Sequence, residues 1–404
     1  MRTVADHLEA VLSLATASQP TRVSIQPNSH QVLARELTAR FAVPPFDNSA
    51  MDGYAVRHSD LDDVPVTLRV LGDIPAGSFM QTPLEPGTVM RIMTGAPIPP
   101  GADTVVPVEL TNQKPGDHPL PAQVVINEPV ALGRHIRRAG ENARVSDVVL
   151  NKGTVTSPAA AASAVSVGHS HWWVFPRPRV AVIATGEELR GPGEELAAGQ
   201  IPDSNSVLLA GLVEQFGGQV IGTYRAADDP QAFGELIAQL PRPDVIVTSG
   251  GISAGAFEVV RQAAGAGMEF VQVGMQPGKP QGIGTWDVAG RAVPVLAFPG
   301  NPVSVFVSSW LFLRPLLRRL AGQEIADVRG IYAAGTSWNP PVGRAQYLPI
   351  VWREGQVVPA HHMGSGSHAI ATLHLAQGLA IVPAAIERVA VGDELEVINL
   401  RACV

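Results

Sequence analysis

The chain of 404 residues contains a single cysteine, Cys403, beside the C-terminus. One cysteine excludes an intramolecular disulfide framework and any metal cluster held by several cysteines, so a spare thiol is the simpler interpretation. Positive charge is scarce as well: 29 Lys and Arg against 36 Asp and Glu give a net charge of -7 and a pI near 5.9. This acidic balance argues against a surface that binds nucleic acid or an anionic membrane.

Long uninterrupted apolar segments are also missing. The first 20 residues carry Asp6 and Glu9 where a signal peptide needs apolar residues, and their hydrophobic spacing is helical. One charge-free run, 292–313, is long enough to raise the question of a membrane-spanning helix, but Pro294 and the turn 299–302 interrupt it. This run is predicted to be a buried strand, a loop and then a helix, and the chain is expected to be soluble and cytoplasmic.

Glycine and proline, in contrast, are plentiful, at 40 and 35 residues, and hydrophobic residues make up 46% of the chain. This composition predicts a globular protein of about two to four domains with many tight turns. An N-terminal helix is expected to end near Pro20. Short strands separated by Gly and Pro predict one β unit over about 23–132 and another from about 327, a barrel or sandwich.

Strand and helix signals alternate between these β units, after an Ala-rich helix predicted at about 157–167. Buried strands are predicted at 179–185 and before the turns at 249 and 299, and one helix is expected to start at Ser206 and stop at Gly217. Such alternation predicts a mainly parallel sheet covered by helices on both faces.

Ligands of open α/β sheets bind outside the carboxyl ends of the strands, and four loops are predicted there. They are 186–189, with Glu188; 228–230, with Asp228 and Asp229; 249–255, with Ser249, Gly250, Gly251 and Ser253; and 299–302, the sequence Pro-Gly-Asn-Pro. Lys279, in a Pro-Gly-Lys-Pro turn, is expected at the same edge if a strand follows it.

The Ser-Gly-Gly loop has the composition of an anion-binding loop, because successive backbone N–H groups can turn inward beside a helix start. The alternative is that a Gly-rich turn after a strand is only a turn, and composition leaves both open. The loop lacks the Gly-Lys-Ser/Thr of a Walker sequence, which argues against generic ATP hydrolysis. A His-Glu-x-x-His sequence is absent too.

Several carboxylates fall in loops or near predicted element ends: Asp52, Glu188, Asp203, Asp228, Asp229 and Glu258. A single surface carboxylate is usually only solvated, but several beside an anion loop would repel a phosphate unless a divalent cation came between them. Mg²⁺ is ordinarily held by one or two carboxylates, waters and substrate phosphate oxygens. The histidines near the C-terminus lack the spacing and the cysteines of a zinc site, and surface or core roles are expected for them: His361, His362, His368 and His374.

A series of motifs runs along the chain in the order typical of one family: PPFDNSAMDGYAV, GDIPAG, RIMTGAPIPPGADTVVPVE, RRAGEN, ATGEEL, IPDSNS, DDP, TSGGISAG, PGKP and LAFPGNPVS. They resemble the molybdopterin molybdenumtransferases, the MoeA and gephyrin E-domain family. The resemblance extends from the first helix to GDELEVINL near the C-terminus.

The resemblance implies an elongated homodimer of multidomain α/β plus β subunits, with an active cleft that also draws on a β domain of the other subunit. Each subunit would have four domains. They are an N-terminal helical and linker domain, 1–24 and 133–172; a small β-rich domain, 25–132; a molybdopterin-binding three-layer α/β domain, 173–325; and a C-terminal β-barrel-like domain, 326–404.

The resemblance also implies a reaction. Adenylylated molybdopterin and molybdate are converted to the molybdenum cofactor with the help of Mg²⁺, and AMP is released. The molybdopterin adenylyltransferase is then a candidate partner. Tungstate stays open as the oxyanion, because its charge and radius barely differ from those of molybdate.

Site residues follow from the motifs by position. Those matched to catalytic positions are Asp52, Thr94, Glu188, Asp228 and Lys279. Those matched to cofactor-binding positions are Ser249, Gly250, Gly251, Ser253, Pro299, Gly300, Asn301 and Pro302. Those expected to hold Mg²⁺ are Asp203, Asp229 and Glu258. For Asp52 the alternative is a turn aspartate that bonds its own backbone.

Three positions depart from the family pattern. Asn142 stands where Asp is usual, Gln276 where Lys is usual, and Glu258 is the acid nearest to a position that is usually Asp. They leave open a second function, a catalytically weak paralogue that binds molybdopterin or its nucleotide as a carrier or scaffold.

Overall fold

The computed structural model describes residues 1–26, 30–78, 82–116, 118–227, 229–252, 259–263, 267–324, 329–362, 364, 366 and 368–401. Three predicted site residues, Asp228, Ser253 and Glu258, lie outside the described residues, as does Cys403. No helix within the described ranges is both long and apolar enough to span a membrane.

The described helices include α1 (Val4–Ser13), α2 (Pro158–Ser166), α3 (Ser204–Gln215), α4 (Pro230–Ala238), α5 (Val259–Ala263), α6 (Pro302–Ser308) and α7 (Arg314–Leu320). A π-helical turn, Ser309–Leu313, joins α6 to α7, and 3-10 turns lie at His58–Asp60, Val108–Leu110 and Ile370–Leu375.

The strands are β1 (Thr21–Ser24), β2 (Val32–Leu33), β3 (Leu37–Thr38), β4 (Asn48–Ser49), β5 (Gly53–Val56), β6 (Val66–Ile74), β7 (Thr88–Ile92), β8 (Thr104–Pro107), β9 (Gln123–Ile126), β10 (Ile136–Arg137), β11 (Val148–Leu150), β12 (His171–Phe175) and β13 (Arg179–Thr185). They continue with β14 (Leu189–Arg190), β15 (Ile201–Pro202), β16 (Gln219–Ala226), β17 (Val245–Ser249), β18 (Met268–Gln272), β19 (Met275–Gln276), β20 (Pro280–Val288), β21 (Arg291–Phe298), β22 (Arg329–Ala333), β23 (Ala345–Arg353), β24 (Gln356–Pro359), β25 (Gly378–Val382) and β26 (Glu394–Asn399).

The chain forms two compact units. One contains the described residues of Met1–Thr21, His30–Ala34 and Trp173–Val404, and the other those of Arg22–Ser29 and Arg35–Trp172. The second unit is built on a five-stranded sheet in the order β8-β5-β7-β6-β9, in which only the β6–β7 pair is parallel. Separate apolar clusters cover its two faces, one around Tyr54 and one around Met90.

The first unit contains a six-stranded sheet in the order β16-β13-β17-β21-β20-β18. The first four strands are parallel, and β20 and β18 run antiparallel to their neighbours. One face packs against α3 and the helix from Pro302 to Leu320, and the other packs against α4 and α5. The predicted mainly parallel, two-sided sheet is therefore confirmed, and so is the strand–loop–helix prediction for the apolar run 292–313.

The C-terminal part of the first unit forms a second sheet in the order β19-β23-β25-β26-β22, with β24 paired to β23. Its strand β19 comes from the α/β segment and pairs in parallel with β23, so that Met275 lies opposite Ala345. Apolar residues of the sheet pack around Leu348 and Val397. This pairing brings residues that are distant in sequence next to the turn that carries Lys279.

Two predicted helix boundaries are wrong. The N-terminal helix ends at Ser13 rather than near Pro20, because the end of α7 binds the segment that follows: Arg319 Nε donates to the Ala15 carbonyl and Ser18 N donates to the Leu320 carbonyl. The helix expected from Ser206 begins at Ser204, because Asp203 is its N-cap and accepts a hydrogen bond from Ser206 N.

Candidate active site

The carboxyl ends of the parallel strands meet at one edge of the α/β sheet. Loops leave this edge after β13, β17 and β21, and β20 begins there because it runs antiparallel to β21. Lys279 immediately precedes β20. The expectation that Lys279 lies at this edge, conditional on a following strand, is confirmed.

A cavity of about 900 Å³ opens at this edge. Its lining includes most of the predicted residues that the structure describes in this unit: Glu188, Asp203, Ser249, Gly250, Gly251, Lys279, Pro299, Gly300, Asn301 and Pro302. These residues lie close together, as the sequence predicted, since all but Asp203 and Lys279 were expected in loops after parallel strands.

Other lining residues were not predicted, among them Thr185, Asn205, Arg344 and His368, whereas Gln276, which stands where the family usually has Lys, was expected in the site. Arg344 adds a second cation to the cavity wall and directly precedes β23, which pairs with β19. That pairing joins segments about 70 residues apart and has no signature in local sequence, so motif reading could not find Arg344.

The turn after β17 requires glycine. Gly250 and Gly251 adopt φ values of +91° and +67°, where a side chain is strained. A Cβ at Gly250 would lie 2.8 Å from the Thr185 carbonyl oxygen, and a Cβ at Gly251 would lie 2.9 Å from Thr185 Oγ1. The turn therefore packs its backbone closely against the end of β13, which holds it at the cavity wall.

Asp203 lines the cavity and also starts a helix. Its Oδ1 accepts a hydrogen bond from Ser206 N at 3.0 Å, and its Oδ2 accepts one from Ser206 Oγ at 2.6 Å. The residue is 6% exposed, whereas Glu188 is exposed at the rim. Asp203 therefore presents a fixed carboxylate beside the N-terminus of α3, where the backbone N–H groups favour negative charge.

One other predicted metal ligand, Asp229, does not line this cavity. Asp229 is the N-cap of α4, and its Oδ1 accepts a hydrogen bond from Ala232 N at 2.7 Å. Within the described ranges, no group of three His, Cys, Asp or Glu side chains is placed to hold a metal ion.

The remaining predicted residues, Asp52 and Thr94, lie together in the second unit. Asp52 Oδ1 accepts hydrogen bonds from Thr94 N at 2.6 Å and from Thr94 Oγ1 at 2.8 Å. Asp52 lines a separate cavity of about 360 Å³, whose wall also includes Arg91, Lys114 and His118. Its carboxylate is thus bound to a second loop, which the turn-aspartate alternative did not anticipate.

The other carboxylate of the same segment has a structural partner. Asp47 accepts hydrogen bonds from Ala139 N at 2.8 Å and from Arg138 Nη1 at 2.6 Å. The Ala139 amide is the main cause that lowers the pKa of Asp47, and Arg138 adds to it. Gly53 follows Asp52 in the same segment and begins β5. A Cβ at Gly53 would collide with the Val106 carbonyl oxygen of the paired strand β8.

The sequence matches known families along almost its whole length. Residues 2–168 match the MoeA N-terminal region (domain I and II), residues 181–319 a probable molybdopterin binding domain, and residues 333–400 the MoeA C-terminal region (domain IV).

Two curated relatives illustrate the similarity. The chain is 39% identical over 416 residues to molybdopterin molybdenumtransferase 2 of Mycobacterium tuberculosis, covering 99% of this chain and 100% of that protein. It is 33% identical over 384 residues to the molybdopterin molybdenumtransferase of Nostoc sp., covering 92% and 86%.

The fold is similar to the crystal structure of the molybdopterin biosynthesis MoeA protein from Pyrococcus horikosii, with a TM-score of 0.81, 30% sequence identity and coverage of 98% of both chains.

Proposed function

This chain belongs to the molybdopterin molybdenumtransferase family, whose reaction is a late step of molybdenum cofactor biosynthesis, and we propose that its substrate reacts in the cavity beside Lys279. The substrates are adenylylated molybdopterin and molybdate, and AMP is the leaving product. One observation carries the proposal: Glu188, Asp203, Lys279 and the turns at 249–251 and 299–302 all line a single cavity of about 900 Å³. This volume is at the upper end of the range for small-molecule sites.

Lys279 is the proposed contact to the substrate phosphates. Its ammonium group is a compact positive charge on a half-buried side chain, where solvent screens it less than at an open surface. The start of α3 adds backbone N–H groups to the same wall, which the turn at Gly250 and Gly251 also borders, although the Gly250 N–H already donates to the Phe298 carbonyl oxygen. These features support binding of the anionic end of the nucleotide there.

Dependence on Mg²⁺ is part of the proposal. Glu188 and Asp203 supply two carboxylates to the cavity, and a carboxylate has about four acceptor positions, so the cap bonds of Asp203 leave room for a cation. When bound, Mg²⁺ would neutralise charge on the phosphoanhydride oxygens. Asp228, Asp229 and Glu258 remain predicted contributors.

Asp52 and Thr94 are proposed to complete the cleft of a partner subunit in a homodimer. The proposal includes the four-domain division at 1–24 with 133–172, 25–132, 173–325 and 326–404. It assigns to Asp52 an essential negative charge, and to Thr94 the hydrogen bonds that hold that carboxylate in one direction.

The test measures AMP release by chromatography from purified protein, adenylylated molybdopterin, molybdate and Mg²⁺. We expect release by the wild type, loss of release when EDTA removes Mg²⁺, and substrate binding at least about tenfold weaker in Lys279→Ala, since a charge-assisted contact is lost. Lys152→Ala is the matched control, because this exposed lysine of the second unit makes the same change in net charge.

Two results would overturn the proposal. Substrate binding without AMP release in the presence of Mg²⁺ would indicate a carrier or scaffold. Equal weakening by Lys279→Ala and Lys152→Ala would indicate a general effect of net charge and would remove Lys279 from the site.

A further inference from the structure

Gln281 is a polar side chain in an apolar setting. It lies on β20, is 1% exposed, and points to the sheet face that packs against the helix from Pro302 to Leu320. Its Nε2 donates to the Gly278 carbonyl oxygen at 2.8 Å and to Ser308 Oγ at 2.8 Å. Gln281 therefore links the turn before β20 to the last residue before the π-helical turn.

The orientation of this amide follows from chemistry. A backbone carbonyl can only accept a hydrogen bond, so the nitrogen end of the Gln281 amide must face Gly278. The oxygen end is buried with no hydrogen-bond partner among the described residues. A buried amide with only its nitrogen end hydrogen-bonded stabilises the folded protein less than an apolar side chain of similar size. The stability of the fold alone therefore does not favour glutamine at this position.

The turn held by Gln281 is the turn that carries Lys279. The carbonyl of Gly278 is bound by Gln281, and the carbonyl of Lys279 itself accepts a hydrogen bond from Val273 N at 2.8 Å. The backbone is thus fixed on both sides of the Lys279 Cα. One tether is a main-chain bond that every sequence could make, and the other depends on the Gln281 side chain.

Close packing adds to this constraint. Gly278 adopts a φ of +100°, and a Cβ there would lie 3.1 Å from Ser308 Oγ and 3.3 Å from Gln281 Nε2. Gly278 and Pro277 are buried, while Lys279 is half-buried at the cavity wall. Gln281, Ser308 and the absence of a side chain at Gly278 together determine where the lysine leaves the backbone.

We infer that Gln281 is a positioning residue for Lys279: its amide, anchored on Ser308, holds the Lys279 turn so that the ammonium group projects into the cavity. Only the expected effect on substrate binding and turnover rests on the proposed function; the role of Gln281 in holding the turn does not. Since misplacement by about 1 Å can cost as much as a hundredfold in rate or affinity, loss of the tether changes substrate binding without removing any group that contacts the substrate.

The test replaces Gln281 with methionine, an unbranched side chain of similar length that has no N–H donor. Gln281→Met is expected to raise the KM for adenylylated molybdopterin about tenfold with little change in kcat, because uniform binding is lost. Ser308→Ala, which leaves the bond to Gly278 intact, is expected to have a smaller effect in the same direction. Val288→Ala, a buried change at the far end of β20, is the control for lost packing and should leave KM unchanged.

A double-mutant cycle separates positioning from structure. If Gln281 acts through Lys279, Gln281→Met should have almost no further effect on KM in a Lys279→Ala background, since residues that act as a unit are not additive. Additive losses, or an unchanged KM in Gln281→Met, would overturn the inference.

Hydrogen exchange provides a readout that does not need turnover. The amides of residues 275–281 should exchange faster in Gln281→Met than in Val288→Ala, because the tether no longer holds the turn closed. Equal protection in the two variants would overturn the inference even if activity changed. Failure of the wild type to release AMP would instead count against the proposed function. The hydrogen-exchange comparison would then decide whether Gln281 holds the Lys279 turn.

Discussion

Asp47 and Asp52 lie in one segment, yet their carboxylates make different contacts. Asp47 forms an ion pair with Arg138 at 2.6 Å and also accepts a backbone N–H, which is the pattern of a residue that fastens one segment to another. Asp52 accepts two hydrogen bonds from Thr94 and borders a cavity. Identical residue types thus acquire a structural and a proposed functional role from their neighbours.

Substitution of Asp52 by asparagine tests this difference. The amide oxygen can still accept from Thr94, so Asp52→Asn should keep the fold and the melting temperature. AMP release should fall about a hundredfold or more, the order lost when a preorganised electrostatic contact is removed. Asp47→Asn is the matched control, expected to change the melting temperature slightly and to leave AMP release intact. Unchanged turnover in Asp52→Asn would support a capping role alone.

His7 illustrates a buried titratable residue outside the cavity. It is fully buried in α1, its ring lies edge-on to Phe312 with 4.7 Å between the centroids, and neither ring nitrogen has a partner among the described residues. Burial, with a smaller contribution from Arg2, lowers the pKa of His7 from 6.5 to about 4. The unfolded chain therefore binds more protons than the folded chain between these two pH values.

This difference predicts a pH-dependent stability. As pH falls from 7.5 to 5, the free energy of unfolding should decrease by about 2 kcal/mol through His7 alone. His7→Leu, which keeps an apolar side chain of similar volume against Phe312, should remove that part of the decrease. Urea unfolding of both proteins at the two pH values measures it. Equal decreases in wild type and variant would contradict the prediction.

At the scale of elements, local sequence patterns predicted which segments form strands better than they predicted the order and direction of the strands in the sheets. The apolar runs of β13 and β17 are buried along nearly their whole length, as expected for central parallel strands. The antiparallel direction of β20 follows from the local hairpin in which Val288 pairs with Arg291 of β21, whereas the transfer of β19 to a second sheet depends on long-range pairing, which local sequence does not encode. The π-helical turn at Ser309–Leu313 and the buried amide of Gln281 had no sequence signal either.

The glycine turn after β17 allows an element-scale prediction. Gly250→Ala combines the strain of a positive φ, about 1–2 kcal/mol, with a clash against Thr185, which adds about 1–3 kcal/mol, and it should also displace the cavity wall. Gly290→Ala is the matched control, because its φ of +79° is similar but no atom lies within 4 Å of an added Cβ.

The two variants therefore separate strain from contact. Both should unfold at lower urea concentration than the wild type, but only Gly250→Ala should bind adenylylated molybdopterin more weakly. Equal effects of the two substitutions on binding would mean that the turn after β17 does not contact the substrate.

At the scale of the whole molecule, the proposed site residues are divided between the two units. Glu188, Asp203 and Lys279 line a cavity of the first unit, whereas Asp52 and Thr94 belong to the second. Motif order predicted both groups, but no local pattern says which copy of the chain supplies which group. That assignment depends on assembly, and we propose a homodimer in which each cleft draws on both subunits.

Complementation between inactive variants tests this assembly. If each cleft needs Asp52 from one subunit and Lys279 from the other, a dimer of one Asp52→Asn and one Lys279→Ala subunit has one cleft with both changes and one intact cleft. Random pairing in an equimolar co-expression should then restore about a quarter of wild-type AMP release, because half of the dimers are mixed and each has one active cleft of two.

Light scattering should give the mass of two chains. Differently tagged subunits allow the mixed dimer to be isolated and assayed alone, and about half of wild-type activity is then expected. A mixed dimer as inactive as its parents would assign both residues to one subunit, and a monomer at micromolar concentration would contradict the shared cleft itself.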